Sequence, residues 1–148
     1  MSERAPADRR AAYPYFARLT TRWLDNDAYA HVNNVVYYSF FDTAVNELPI
    51  RSGVLDIRES PVIGFVVETQ CRFFTPLTFP DRVGAGVRVA RIGTSSVRYD
   101  IGIFRDDEER AAAQGYFVHV YVDRASSRPV SALPQALREV LQPLLVGG

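Results

Sequence analysis

The chain contains no lysine, and all 17 of its basic residues are arginines. Schiff-base chemistry through a lysine is therefore excluded, and guanidinium is the only strong cation left to hold a phosphate. A single cysteine, Cys71, rules out an intrachain disulfide framework and makes a reducing compartment the default. It sits mid-strand with no histidine or aspartate close to it in sequence, so a catalytic thiol is not expected. The only two histidines, His31 and His119, lie 88 residues apart, which argues against a zinc site. Net charge is lacking too, since 17 basic residues balance 17 acidic ones, and neither nucleic acid nor an anionic membrane surface is expected as partner. No apolar run reaches the ~18 residues of a membrane span, and the polar first twelve residues lack a signal-peptide core. These absences together lead us to expect a soluble, cytoplasmic protein.

What is present is ordinary in bulk and concentrated in one place. With 148 residues, 47% of them hydrophobic and 23% charged, the chain can build one domain with a sizeable core. Residues 1–12 read as a flexible lead-in, and residues 13–148 as a single domain. The densest chemistry is Asp25-Asn26-Asp27-Ala28-Tyr29-Ala30-His31-Val32-Asn33-Asn34. An apolar pattern of helical period follows, with positions 37, 41, 44 and 48 on one stripe and 38, 41 and 45 on another. Such a helix wants cover on most of its circumference, so it is expected to be central. Asn33 or Asn34 would cap its start, and Leu48-Pro49 would end it.

Strand patterns surround that helix. Tyr15 to Trp23 alternates before it, and 49–61 reads as a loop after it. Val62 to Phe74 is a long β-rich run. Val83, Ala85, Val87 and Val89 alternate with polar or small residues, as do Val97, Tyr99, Ile101 and Ile103. A fifth strand is expected from Arg110 to about Val122, with His119 lodged structurally among aromatics. A short helix from Pro134 to about Leu141 closes the chain, with Pro143 as its stop. Short turns between the later strands imply antiparallel neighbours. The fold class is α+β, a five-stranded antiparallel sheet around one long helix.

Arg22-Trp23-Leu24-Asp25-Asn26-Asp27, then His31-Val32-Asn33-Asn34 and an aromatic-rich helix, resembles the hotdog-fold acyl-CoA thioesterases of the 4-hydroxybenzoyl-CoA thioesterase-like branch. The resemblance covers nearly the whole chain and implies the hotdog fold. It also implies a homodimer or homotetramer with active sites at the subunit interface, and no cofactor beyond the coenzyme A carried by the substrate.

From the residues alone, Asp27 can serve merely as an Asx turn leading into the helix. The resemblance implies instead a catalytic carboxylate, acting as nucleophile on the thioester carbonyl or as base for water. Asp25 is expected to hold a turn or an arginine. His31 either scaffolds the loop or assists proton transfer to the thiolate. Where the family often carries glycine this chain has Ala30, which would be strained if the turn requires a positive φ. Asn33 and Asn34 serve structurally as caps, while the resemblance directs a backbone N–H near Asn34 at the developing oxyanion. Gly64, Phe65 and Val66 are acyl-pocket candidates by resemblance and core residues otherwise. For coenzyme A phosphates, turn segments offer Arg91, Ser95 and Ser96, and also Arg128.

Two other functions remain open on this reading. A non-catalytic acyl-CoA or acyl-carrier binding protein would keep the groove without turnover. A hotdog hydratase/dehydratase would use an Asp-x-Asn-Pro-x-His loop, from which this chain departs in lacking the proline and in its aspartate-to-histidine spacing.

Overall fold

The computed structural model describes residues 5–146 of the chain. It consists of β1 (Tyr15–Thr20), α1 (Val36–Arg51), β2 (Val62–Phe73), β3 (Arg82–Ile92), β4 (Ser96–Arg105), β5 (Ala113–Asp123) and α2 (Gln135–Leu141). All strand pairings are antiparallel, in the order β1-β3-β4-β5-β2, so β1 and β2 are the two edges. α1 lies against β1, β3 and β4. This is the α+β hotdog arrangement that the resemblance implied.

Period-two patterning decides which face of the sheet meets the helix. Val83, Ala85, Val87 and Val89 of β3 and Val97, Tyr99, Ile101 and Ile103 of β4 are all buried, facing Phe40, Phe41, Ala44 and Val45 of α1. Each fully buried aliphatic side chain of this kind contributes about 1.5–3 kcal/mol, so the strand alternation and the helix stripe fix one register.

Several expectations need correction. α1 starts at Val36, with Val35 as its cap residue and no side-chain cap bond; Asn33 Oδ1 instead accepts from the Val35 N–H at 3.1 Å, two residues early. Pro49 lies inside α1 and is buried. Proline is tolerated there because it occupies the last turn, where its carbonyl accepts from the Val54 and Leu55 N–H groups, and Gly53 at φ 76° turns the chain away. α1 is also less enclosed than its composition suggests, since Tyr38, Ser39, Asp42 and Thr43 form an exposed face. The first strand ends at Thr20, and Trp23 belongs to a short 3₁₀ turn, 78% exposed. β3 extends to Ile92, and the last strand begins at Ala113.

The expected lead-in is anchored from Ala7, whose carbonyl accepts from Arg110 Nη1 at 2.8 Å. Met1 to Arg4 lie outside the described residues. From Asp8 onward the chain straps the outer face of the sheet: Asp8 N–H donates to Gln114 Oε1 at 2.7 Å, and Arg10 N–H to the Glu109 carbonyl at 3.1 Å. Tyr13 fills a slot over Gly86 and Gly102, which are register partners across β3 and β4. A Cβ on either glycine would come within 2.7 Å or 2.6 Å of the Tyr13 side chain. Tyr13 also donates to Asp8 Oδ2 at 2.9 Å, and burial pushes its phenol well above the ordinary range.

Candidate active site

The loop between β1 and α1 is built from its own polar residues. Asp25 is 1% exposed and accepts from Arg22 three times: from its N–H at 2.8 Å, Nε at 3.0 Å and Nη2 at 2.8 Å. Its carbonyl takes the Asn33 N–H at 2.9 Å, closing the loop at its base. Asp25 is thus the structural carboxylate, with the arginine partner expected for it. Arg22→Ala would leave that buried carboxylate short of its cation, at a cost of about 3 kcal/mol, measurable as a lowered urea midpoint.

The tip of the loop is a tight reversal. Asp27 N–H donates to the His31 carbonyl at 2.8 Å, and Ala30 N–H to the Asp27 carbonyl at 3.1 Å. Ala30 takes φ 62°, so the strain foreseen at this position is present. A left-handed conformation costs an L-residue about 1–2 kcal/mol. Ala30→Gly is therefore expected to raise stability by up to about 1 kcal/mol, read as a higher thermal midpoint, after the entropy of glycine is counted.

Neighbouring segments hold this reversal in place. Asn26 donates to Thr78 Oγ1 at 3.3 Å and accepts from the Phe79 N–H at 3.0 Å. Thr78 Oγ1 donates to the Ala30 carbonyl at 2.6 Å, and Val32 N–H to the Leu77 carbonyl at 2.8 Å. The loop is therefore a rigid platform on the segment between β2 and β3.

Asp27 makes the Asx turn, because Oδ1 accepts from the Tyr29 N–H at 2.8 Å and from the His31 N–H at 3.4 Å. Among the described residues, Oδ2 accepts no hydrogen bond. A cavity of about 440 Å³ opens beside it, lined by Asp27, His31, Val32, Asn34, Tyr37, Phe73, Phe74, Thr75 and Pro76. The structure therefore brings Asp27, His31 and Asn34 together. At the entry to α1, the N–H groups of Val35, Val36 and Tyr37 are bonded to Asn33 Oδ1, the Asn33 carbonyl and the Asn34 carbonyl. The Asn34 N–H has no partner among the described residues. Asp27, with an unbonded Oδ2, and Asn34, with an unbonded N–H, thus line the same cavity among largely apolar neighbours.

Of the other candidates, Asn33 alone lies in this loop, and the rest are elsewhere. Asn33 is spent on the Val35 N–H. Gly64, Phe65 and Val66 occupy the opposite end of β2 from Phe73; the eight residue steps of strand from Phe65 to Phe73 span about 26 Å. Arg91, Ser95 and Ser96 sit at the β3–β4 turn, about 30 Å along β3 from Arg82. Ser95 and Ser96 spend their carbonyls on the Tyr121 and Gly93 N–H groups. Arg128 is in the turn after β5, where its carbonyl accepts from the Asp123 N–H. Within one protomer these residues cluster at the end of the sheet remote from Asp27.

Sequence reasoning missed the cavity's far wall, Tyr37 and Phe73 to Pro76. Its one signal was the Thr75-Pro76 stop, which forces the chain out of β2 beside the loop. Burial pushes the Tyr37 phenol up to about 12 and the Cys71 thiol up to about 12, so both are neutral at ordinary pH. Among the described residues, no group of three or more His, Cys, Asp or Glu side chains converges as a metal site. Also among them, no helix is long and apolar enough to cross a membrane.

Residues 21–141 match the Thioesterase-like superfamily. The chain belongs to that superfamily. No curated protein matches it. Among solved structures, the PA5185 protein of Pseudomonas aeruginosa strain PAO1 shares 51% identity over 97% of this chain and 99% of its own, with a TM-score of 0.93. A thioesterase from Thermus thermophilus, complexed with coenzyme A and Zn, is 28% identical over 90% of this chain and 95% of its own, with a TM-score of 0.72. DHNA-CoA thioesterase from Staphylococcus aureus shares the fold, with a TM-score of 0.74 at 15% identity, over 86% of this chain and 88% of its own. For this member of the superfamily, the matched span includes the whole Asp25–Asn34 loop, α1 and the sheet from β2 to β5.

Proposed function

We propose that the chain is an acyl-CoA thioesterase, hydrolysing an acyl-CoA to the free acid and coenzyme A. The observation that carries this reading is the pairing of an unbonded Asp27 Oδ2 with an unbonded Asn34 N–H on one cavity. A thioester carbonyl seated there meets a carboxylate oxygen on one side and a hydrogen-bond donor on the other. Asp27 Oδ2 attacks the carbonyl carbon or takes a proton from the attacking water, while Oδ1 stays fixed by the Tyr29 N–H. The Asn34 N–H, at the positive end of α1, receives the oxyanion. His31 supports departure of the thiolate, which is a good leaving group and needs little acid assistance. The reaction assigned to these residues uses no group beyond the substrate's own coenzyme A.

The acyl and nucleotide contacts come, on this reading, from a second copy. β2 is a long open edge with Phe65, Val66 and Val67 exposed, and a second β2 can pair with it antiparallel. A two-fold axis near Thr69 would set Phe65 of one copy opposite Phe73 of the other. Gly64 to Val66 would then line the acyl pocket, and Arg91, Ser95, Ser96 and Arg128 would come from the remote end of the partner's sheet toward the coenzyme A phosphates. The two separated clusters support a homodimer, alone or within a homotetramer, with sites at the interface. With no net charge and a single cysteine, we place the protein in the cytoplasm.

The test is thiol release by the native protein from short, long and aryl acyl-CoAs. Turnover of at least one supports the reading. Tight acyl-CoA binding without free coenzyme A would replace it with a binding module. Hydration of crotonyl-CoA without hydrolysis would replace it with the hydratase branch. Asn34→Ala should leave turnover within a few-fold of native, because the proposed donor is the backbone amide and survives the change.

A further inference from the structure

The turn after β1 exposes large apolar side chains that neither the core nor the Asp27 cavity uses. Asp25 is drawn inward by its three bonds from Arg22, so the 3₁₀ turn Trp23–Asp25 directs its other two side chains outward. Trp23 is 78% exposed and Leu24 71%. Trp23 meets Phe79 edge-to-face, with 6.1 Å between ring centroids, and Phe79 is itself 37% exposed. The Phe79 N–H donates to Asn26 Oδ1 at 3.0 Å, and Thr78 Oγ1 donates to the Ala30 carbonyl at 2.6 Å. These bonds hold the loop tip beside the Trp23–Phe79 pair, and the tip presents Tyr29, 81% exposed.

Together the four side chains offer about 500–600 Å² of largely apolar surface, given the size of aromatic side chains. That equals the largest patch found on an ordinary monomer, about 300–600 Å². The backbone beneath it is already fixed by the loop's own hydrogen bonds, so covering the patch orders little chain. Tryptophan and tyrosine are also the side chains that most often anchor interfaces.

We propose that this patch is a two-fold contact with a second copy of the chain, distinct from the β2 edge. Area supports that occupant: the same patch on two copies buries about 1,000–1,200 Å², enough for a specific interface. Charge supports it as well. Exposed Arg22 and Arg82 flank the aromatics, and exposed Asp106, which accepts from the Arg82 N–H at 2.9 Å, lies with Asp107 just beyond. A rim of both signs on a chain of zero formal net charge matches its own copy better than an anionic lipid surface.

Position leaves room for both contacts. Trp23 and Leu24 follow β1 and Phe79 precedes β3, whereas β2 is the opposite edge of the sheet. Two different two-fold contacts on one chain close into a tetramer. The patch contact does not depend on the thioesterase reading, and the tetramer requires in addition that the β2 edges pair.

Sedimentation equilibrium of the native protein, Trp23→Glu and Tyr29→Glu tests this. Each variant should have half the native mass, a tetramer becoming a dimer if β2 edges pair and a dimer becoming a monomer if they do not. Both side chains are exposed within one protomer, so both variants should keep the native circular dichroism spectrum. Trp23 is the only tryptophan, so its fluorescence reports on the patch directly. Native emission should be blue-shifted and move red on dilution, and Tyr29→Glu should emit as solvent-exposed tryptophan does. Native emission typical of exposed tryptophan at every concentration would overturn the proposal. Unchanged mass in both folded variants would overturn it too. Sedimentation of the native protein with phosphatidylglycerol vesicles, lost in Trp23→Glu, would replace the second copy with a lipid surface.

Discussion

Gly115→Ala is expected to cost about 3 kcal/mol and to lower the thermal midpoint by roughly 10 °C. Gly115 pairs with Cys71 of β2 on one side and Ile101 of β4 on the other. A Cβ there would stand 1.8 Å from the Gln70 carbonyl oxygen, 2.8 Å from its carbon and 2.9 Å from the Cys71 Cα. All three are backbone atoms, so no rotamer change can relieve the overlap and β2 must move away from β5. The displaced strand carries Phe73, a wall of the Asp27 cavity, and forms the edge proposed to receive a second copy. Activity and assembly should therefore fall together with stability. Gly84→Ala serves as the control, because its Cβ would meet nothing nearer than 3.4 Å. A Gly115→Ala protein melting with the native one would contradict this reading of the β5–β2 contact.

Acid should destabilise the fold through His119, by about 3 kcal/mol between pH 6.5 and pH 4. The ring is 3% exposed, packed against Tyr99, Phe117 and Tyr121, and neither nitrogen has a hydrogen-bond partner among the described residues. Burial holds its pKa down at about 4, from an ordinary 6.5. Between those values the unfolded chain takes up a proton that the folded chain refuses, so stability falls as pH falls, by about 1.4 kcal/mol per unit. Above pH 6.5 both states are neutral and the dependence vanishes. Urea midpoints of native protein and His119→Phe at pH 7.5, 6, 5 and 4.5 isolate the effect, since carboxylates titrate in both proteins. The native curve should drop more steeply; parallel curves would show that the ring finds a proton-accepting partner on protonation.

Much of this architecture was legible in the sequence because a period of two or 3.6 residues maps directly onto burial. Val83 to Val89 and Val97 to Ile103 alternate as written, and the α1 stripe meets them. The Asp25–Asn34 loop was legible as a loop because its polar residues satisfy one another locally, down to the positive φ of Ala30. What escaped the sequence depends on contacts between distant segments. Pro49 reads as a stop, yet long-range packing and the bonds from Val54 and Leu55 keep it helical. The N-terminal strap was invisible because Tyr13 is recognised by Gly86 and Gly102, more than 70 residues later. Glycines recurring on one strand face were the available clue. Gly64 to Val66 are acyl-pocket candidates by resemblance alone, and strand length sets them about 26 Å from Phe73 within one protomer, a separation that no local pattern reveals.

Asp27→Asn, assayed by thiol release on the best acyl-CoA substrate of the native protein, tests the central claim most directly. The substitution keeps the side-chain size and an oxygen able to accept from the Tyr29 N–H, while removing the charge and the nucleophilic oxygen. The account predicts a folded protein with native substrate affinity and a loss in kcat of about 10²-fold or more. A folded Asp27→Asn protein with native turnover would contradict it, leaving this loop as a scaffold and the chemistry to other residues.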